Sequence, residues 1–106
     1  AIREFLSSPN RPSAVFICNE IIALQFMGVC RELGLRIPED IAIASYDDDH
    51  VAPILDPPLT TIRQDPRQMG IVAANILMDL LANKPVQQRN LIPVKLVLRQ
   101  SSGAAI

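Results

Sequence analysis

The sequence predicts an α/β fold built on a parallel sheet, and three observations carry that expectation. Two short continuous apolar runs, Ala14-Val15-Phe16-Ile17-Cys18 and Ile41-Ala42-Ile43-Ala44, suit strands buried on both faces of a parallel sheet. Ile21 to Leu33 lies between them and reads as helix, so strand, helix and strand with short links form a βαβ unit of right-handed sense. With 106 residues, 49% of them hydrophobic and 20% charged, the chain is one domain or part of one and is too apolar to be disordered.

The elements follow in order. Ile2, Phe5 and Leu6 begin a short helix that the Ser7-Ser8-Pro9-Asn10-Arg11-Pro12 loop ends. The first strand runs into Asn19, a helix N-cap residue, and Glu20 favours the positive end of the helix dipole that follows. Gly34 stops this helix as its C′ residue, and Leu35 to Asp40 turns around Pro38 into the second strand, which ends at Ser45-Tyr46. The helix is apolar almost all round. Ile22, Phe26, Val29, Cys30 and Leu33 form one stripe, and Ile21, Leu24 and Met27 fall outside it. Covering a sheet needs one stripe only, so the surplus implies a second buried contact, within the fold or with a partner subunit.

Asp47 to Leu59 is a loop with Asp47-Asp48-Asp49-His50 at its start, and Leu59-Thr60-Thr61-Ile62 is short and extended. Asp65 caps a second long helix, with Pro66 at its first position and Gln68 at the capping-box position. Met69, Val72, Ala73, Ile76, Leu77 and Leu80 give it one apolar stripe down to about Asn83. Leu91 to Arg99, with Pro93 near its start, reads as a final edge strand. A weak Ser-Ser-Gly-Ala-Ala tail follows, and with Ala1 rather than Met at the other end the chain reads as the C-terminal piece of a longer protein.

Charge and motif content narrow the function. Ten Lys+Arg against eleven Asp+Glu leave no basic excess to attract phosphate backbones, so this stretch is not expected to grip nucleic acid itself. No apolar run approaches the roughly 18 residues that cross a bilayer. Cys18 and Cys30 have no disulfide-framework spacing and read as reduced thiols buried in the core of a cytosolic protein. His50 is the one histidine, and neither a Gly-x-Ser-x-Gly elbow nor a Gly-rich phosphate loop is present. The acidic run beside it is expected to be a solvated loop rather than a metal or catalytic site. No cofactor is expected.

In an open parallel sheet, ligands bind outside the carboxyl ends of the strands. Two predicted strands end there in polar groups, at Asn19 and Asp47, and neighbouring strands would bring these about 5 Å apart. Asn offers a donor and an acceptor, Asp accepts two or more hydrogen bonds, and the pair suits the hydroxyls of a sugar or nucleoside. Gln64 is a third candidate, where the chain leaves the Thr60-Thr61-Ile62 segment. Each also has a plainer role: Asn19 as a helix cap, Asp47 satisfying loop backbone, Gln64 as a solvated residue.

The order of motifs resembles the lactose/galactose repressor family. Pro12-Ser13-Ala14-Val15-Phe16-Ile17-Cys18-Asn19-Glu20-Ile21-Ile22-Ala23-Leu24 is similar to that family's P-x-A-(apolar)-N-D-x-x-A-x-G segment. Arg31 to Ile41, then Ser45-Tyr46-Asp47-Asp48, then Pro57 to Gln64 follow at matching separations, and Leu96 to Ser102 resembles its L-x-x-R-x-S close. Glu20 departs from the pattern, where Asp is usual, and so does Gln25, where a small Gly is common. The resemblance implies a periplasmic-binding-protein-like (type I) fold. It places residues 1–62 in the C-terminal lobe of an effector-binding domain, 63–90 in a crossover and a helix of the N-terminal lobe, and 91–106 in a returning strand and tail. It further implies that Asn19, Asp47 and Gln64 contact a small-molecule effector, that Leu24 and Leu55 belong to a homodimer interface, and that operator DNA is bound by a headpiece absent from this chain. A periplasmic sugar-binding protein of the same fold is the alternative. An α/β enzyme using Asp47, Asp48 and His50 is the more distant one.

Overall fold

The computed structural model describes residues 1–104. Its elements are α1 (Ile2–Ser7), β1 (Ala14–Ile17), α2 (Glu20–Glu32), β2 (Ala42–Tyr46), β3 (Thr60–Arg63), α3 (Pro66–Leu81) and β4 (Lys95–Val97), with single 3-10 turns at Ala52–Ile54 and Gln100–Ser102. The four strands lie in the order β1-β2-β3-β4. β1 pairs parallel with β2 and β2 parallel with β3, with Ile17 opposite Ser45 and Tyr46 opposite Ile62. The chain divides into two compact units, residues 1–63 with the segment from 96 onward, and residues 64–95.

In the first unit, α2 starts and stops on local chemistry. The Asn19 Oδ1 accepts from the Ile22 backbone N–H at 2.9 Å, which satisfies one of the orphan donors of the first turn. At the other end Gly34 adopts φ +71°, and its N–H and that of Leu35 donate back to the Arg31 and Cys30 carbonyls at 3.1 and 2.9 Å. That pair of bonds needs a left-handed residue at the turn, which glycine adopts without a Cβ penalty.

The core is a single cluster of Leu6, Ile17, Ala23, Phe26, Met27, Cys30, Ile41, Ile43, Ala52 and Leu59. It lies on one side of the sheet, where α2 packs against β1 and β2 and α1 packs against α2 through the tilted Phe5–Phe26 ring pair. The expected burial of β1 on both faces is therefore corrected. Ile17 points into this core, but Phe16, of opposite parity, is 60% exposed. Cys18 shares the parity of Phe16 and is exposed, contrary to the core position expected for it, whereas Cys30 is buried. The buried stripe of α2 also differs from the expected one: it is Ala23, Phe26, Met27 and Cys30, and Ile22 joins Ile21 on the outer side. An outward apolar face is present, but Met27, expected on it, packs in the core, and Ile22 takes a place on it.

The first residue of the expected weak tail is docked, and the tail's Ala105 lies outside the described residues. Ser101 is fully buried; its hydroxyl donates to the Ile43 carbonyl at 2.7 Å and accepts from the Thr60 N–H at 2.8 Å, and its own N–H donates to the Pro58 carbonyl. The Thr60 hydroxyl in turn donates to the Arg99 carbonyl and accepts from the Arg99 N–H, both at 2.8 Å. These bonds dock the returning segment on β2 and β3, and β4 covers three residues rather than the nine expected.

In the second unit, α3 begins as its sequence implies. Pro66 is at its first position and the Asp65 carboxylate accepts from the Gln68 N–H at 2.9 Å. Its last residue is Leu81; just beyond, Asn83 adopts φ +57°, and its N–H and that of Lys84 return to the Leu80 and Asp79 carbonyls. No residue of α3 is buried. Of its expected apolar stripe, Val72 and Ile76 are half-buried, while Met69, Ala73, Leu77 and Leu80 are exposed.

Candidate functional site

Parallel pairing of β1 with β2 decides where the polar strand ends fall. Ile17 faces Ser45, so Asn19 and Asp47 each lie two residues beyond the last paired position, side by side at the carboxyl edge of the sheet. Asn19 is half-buried and its Oδ1 is occupied by the cap; the same amide carries two N–H donors on Nδ2. The cap therefore uses the oxygen of this side chain and not its Nδ2 donors. Asp47, also half-buried, sits at φ +73° immediately after β2. A non-glycine residue in the left-handed region costs energy that the surroundings must offset, and such strain gathers at functional positions. Gln64 follows Arg63, the last residue of β3, and is half-buried; it falls in the second unit.

Asp48 departs most from expectation. It belongs to a run read as a solvated acidic loop, yet its side chain is 2% exposed. Its Oδ1 accepts from Thr61 Oγ1 and from Arg99 Nη1, both at 2.6 Å, and its Oδ2 accepts from Arg63 Nε at 2.6 Å. Arg99, 11% exposed at its side chain, also donates through Nη1 to the Leu59 carbonyl at 2.7 Å and to Thr61 Oγ1 at 3.0 Å. Burial pushes the Asp48 carboxyl up, but the bonds from Arg99, Thr61 and Arg63 outweigh it and hold the group at about 2. The rest of the run does face water: Asp49 and His50 are exposed, with the His50 ring 4.0 Å from the Asp49 carboxylate. Asp48 is thus the anchor of the loop, fastened to β3 and to the returning segment, with Asp47 beside it at the sheet edge.

Glu20 lies in the first turn of α2, where its expected role at the helix start places it; it is 7% exposed, and its Oε1 is buried with no hydrogen-bond partner. Burial, and after it the Asp49 carboxylate, push its pKa up. Leu24 and Leu55 are both half-buried, Leu55 against the core, with Ile21, one helical turn before Leu24, and Ile54, the residue before Leu55, exposed. A groove of about 460 Å³ between Met27, Arg31, Leu35, Ile37 and Pro57 lies at the opposite, amino-terminal edge of the sheet. Among the described residues no three His, Cys, Asp or Glu side chains are grouped to hold a metal, and no helix is long and apolar enough to cross a membrane. What the Asn19–Asp47 pair offers chemically is directional hydrogen bonding rather than bond making.

A periplasmic binding protein-like domain model matches residues 1–102, and the chain belongs to that family. Its relatives within the family are transcriptional repressors, in agreement with the resemblance read from the motifs. The chain is 38% identical over 104 residues to the HTH-type transcriptional repressor PurR of Haemophilus influenzae, covering 94% of this chain and 31% of that protein. It is 35% identical to the PurR of Photobacterium profundum, over 95% of this chain and 30% of the relative. Among solved structures, the lac repressor dimer bound to operator and the anti-inducer ONPF matches with a TM-score of 0.89 at 35% identity, covering 97% of this chain and 31% of that one. A LacI family transcriptional regulator from Bifidobacterium animalis subsp. lactis also gives 0.89, at 28% identity over 99% of this chain and 39% of that one. The chain therefore spans about a third of the length of the curated relatives it matches.

Proposed function

We propose that this chain is the effector-binding and dimerisation part of a ligand-responsive transcription regulator. The carrying observation is the pairing of Asn19 with Asp47 at the carboxyl edge of a parallel sheet, the second of them held in a strained backbone. Asp47 accepts from effector hydroxyls and Asn19 donates to them; Gln64 is a further contact where the chain crosses out of the first unit. Residues 1–62 act as the C-terminal lobe, 63–90 as the crossover and a helix of the N-terminal lobe, and 91–106 as the returning segment. Leu24 and Leu55, with the outward Ile21 and Ile54, form part of a homodimer contact.

The effector is a sugar or a nucleoside. A LacI family transcriptional regulator from Lactobacillus casei that this chain resembles at 31% identity has been solved with bound sucrose and with bound glucose. The regulatory step is linkage: an effector that prefers one arrangement of the whole protein shifts its population, and operator affinity with it. Operator contact falls to a headpiece outside this chain, in a protein that works beside DNA in the cytoplasm.

The test uses the full-length protein. Thermal melting is followed with glucose, sucrose, adenosine and guanosine, and affinity for a duplex from the region upstream of its own gene is then measured with and without any ligand that binds. The expected result is one stabilising ligand that also changes duplex affinity. A stabilising ligand with no duplex binding would replace this reading with the solute-receptor alternative, and no stabilisation by either class would remove the assigned ligand chemistry.

A further inference from the structure

Asp47 stands between two fixed neighbours. Before it is Tyr46, the last residue of β2, which pairs with Ile62 of β3. After it is Asp48, whose side chain is 2% exposed. A non-glycine residue in the left-handed region persists only where its surroundings over-determine it, and here the sheet holds one side of Asp47 and the Asp48 carboxylate the other. That carboxylate divides its bonds between two directions. Oδ1 accepts from Thr61 Oγ1 and Arg99 Nη1, and Oδ2 accepts from Arg63 Nε, each at 2.6 Å. Arg63 is the last residue of β3, from which the chain runs on into Gln64. One carboxylate thus grips the chain next to two of the three ligand-site residues. The third, Asn19, is fixed separately by its cap on α2. A buried ion pair adds little stability over apolar side chains of the same size, because desolvation offsets the attraction. Its bonds are directional, however, and two guanidinium groups and a hydroxyl around one carboxylate permit few arrangements.

We propose that Asp48 is a positioning residue of the ligand site, setting Asp47 and the strand end that leads to Gln64 through its bonds to Arg63, Thr61 and Arg99. This role rests on the ligand-site reading above. It goes beyond anchoring the loop, since a ligand bonded to Asp47 then senses the loss of the Asp48 charge even in a protein that remains folded.

The experiment uses the full-length protein and compares wild type with Asp48→Asn, Arg63→Gln, Arg63→Lys and Ser101→Ala. Each is unfolded in urea, and each is titrated calorimetrically with whichever of glucose, sucrose, adenosine and guanosine the wild type binds, at a temperature where circular dichroism shows every variant folded. Asp48→Asn should weaken the ligand about tenfold, the lower end of what a charged hydrogen bond supplies. Arg63→Gln should weaken it roughly threefold, and Arg63→Lys, which keeps a charged donor for Oδ2, should recover most of that loss. Ser101 bonds to Ile43 and Thr60 rather than to Asp48, so Ser101→Ala should lose stability and still bind as wild type does. Wild-type affinity in both Asp48→Asn and Arg63→Gln would overturn the positioning role and leave the site standing. Equal losses in Asp48→Asn and Ser101→Ala would overturn it too, because the ligand would then be reading stability alone. A larger loss in Arg63→Gln than in Asp48→Asn would overturn it by making Arg63 a ligand contact. A wild type that binds none of the four ligands would remove the site reading and the positioning role with it. Should Asp48→Asn fail to fold, the Arg63 variants decide: a loss in Arg63→Gln that Arg63→Lys recovers supports the role, and wild-type affinity in both overturns it.

Discussion

Substituting Asp48 by Asn leaves the side chain's size unchanged and removes its charge, which isolates the electrostatic work of the buried cluster. Two magnitudes bound the effect. A carboxyl held at about 2 rather than the ordinary 3.8 contributes roughly 2 kcal/mol of pH-linked stability. Removing one member of a buried ion pair costs about 3–5 kcal/mol, because the other charge, here Arg99, stays buried without its counter-ion. Equilibrium unfolding in urea at pH 7 should therefore show a loss between these bounds, a large share of the roughly 5–15 kcal/mol that holds a domain. The sign with pH follows from the lowered pKa. The contribution is fully present above the unfolded value of about 3.8, and it drains away as pH falls from there through about 2. The gap between wild type and Asp48→Asn should thus be constant from pH 7 to about 5 and close towards pH 2. Arg63→Ala is the control: its guanidinium is 52% exposed and pairs with the same carboxylate at 2.5 Å, so water screens it and the loss should stay near 1 kcal/mol or less. If Asp48→Asn unfolds at the wild-type urea concentration at pH 7, with the same pH dependence, the cluster does not anchor the loop.

Two further expectations concern the returning segment and the outer face of α2. Ser101→Ala leaves the Ile43 carbonyl and the Thr60 N–H buried without their partner, and should cost about 1–3 kcal/mol in the same unfolding assay; an unchanged midpoint would mean that the segment is not docked as described. Leu24→Asp places a charge on the proposed homodimer contact, and sedimentation of the full-length protein should shift towards monomer with the fold retained by circular dichroism. An unchanged sedimentation coefficient would take Leu24 out of the interface.

The helices were legible because their signals are local. Asn19 and Gly34 bracket α2, Asp65, Pro66 and Gln68 open α3, and each acts within a few residues of itself along the chain. The adjacency of Asn19 and Asp47 was legible as well, because it needs only that two strands joined by one helix be neighbours in a parallel sheet. Asp48 was not. Three aspartates in a row look alike, and the one that is buried is selected by Arg99, 51 residues away, and by the Thr61 hydroxyl. The same non-local origin hid Ser101, whose partners lie on β2 and β3. The alternating parity of β1 did carry the exposure of Phe16 and Cys18, but a continuous apolar run masks parity when every position is apolar. In α3 the periodic stripe correctly marks a helix, and it says nothing about which chain covers that stripe.

The most direct measurement is calorimetric titration of the full-length protein with the sugar or nucleoside that stabilises it, repeated on Asp47→Ala and Asn19→Ala. A ligand hydroxyl bonded to the Asp47 carboxylate is worth on the order of 1.5–3 kcal/mol, so Asp47→Ala should weaken binding roughly tenfold to a hundredfold. Asn19→Ala should weaken it too, beyond the roughly 1 kcal/mol of fold stability lost with the helix cap. Wild-type affinity in both variants would place the ligand elsewhere and contradict the assignment of this sheet edge as its site.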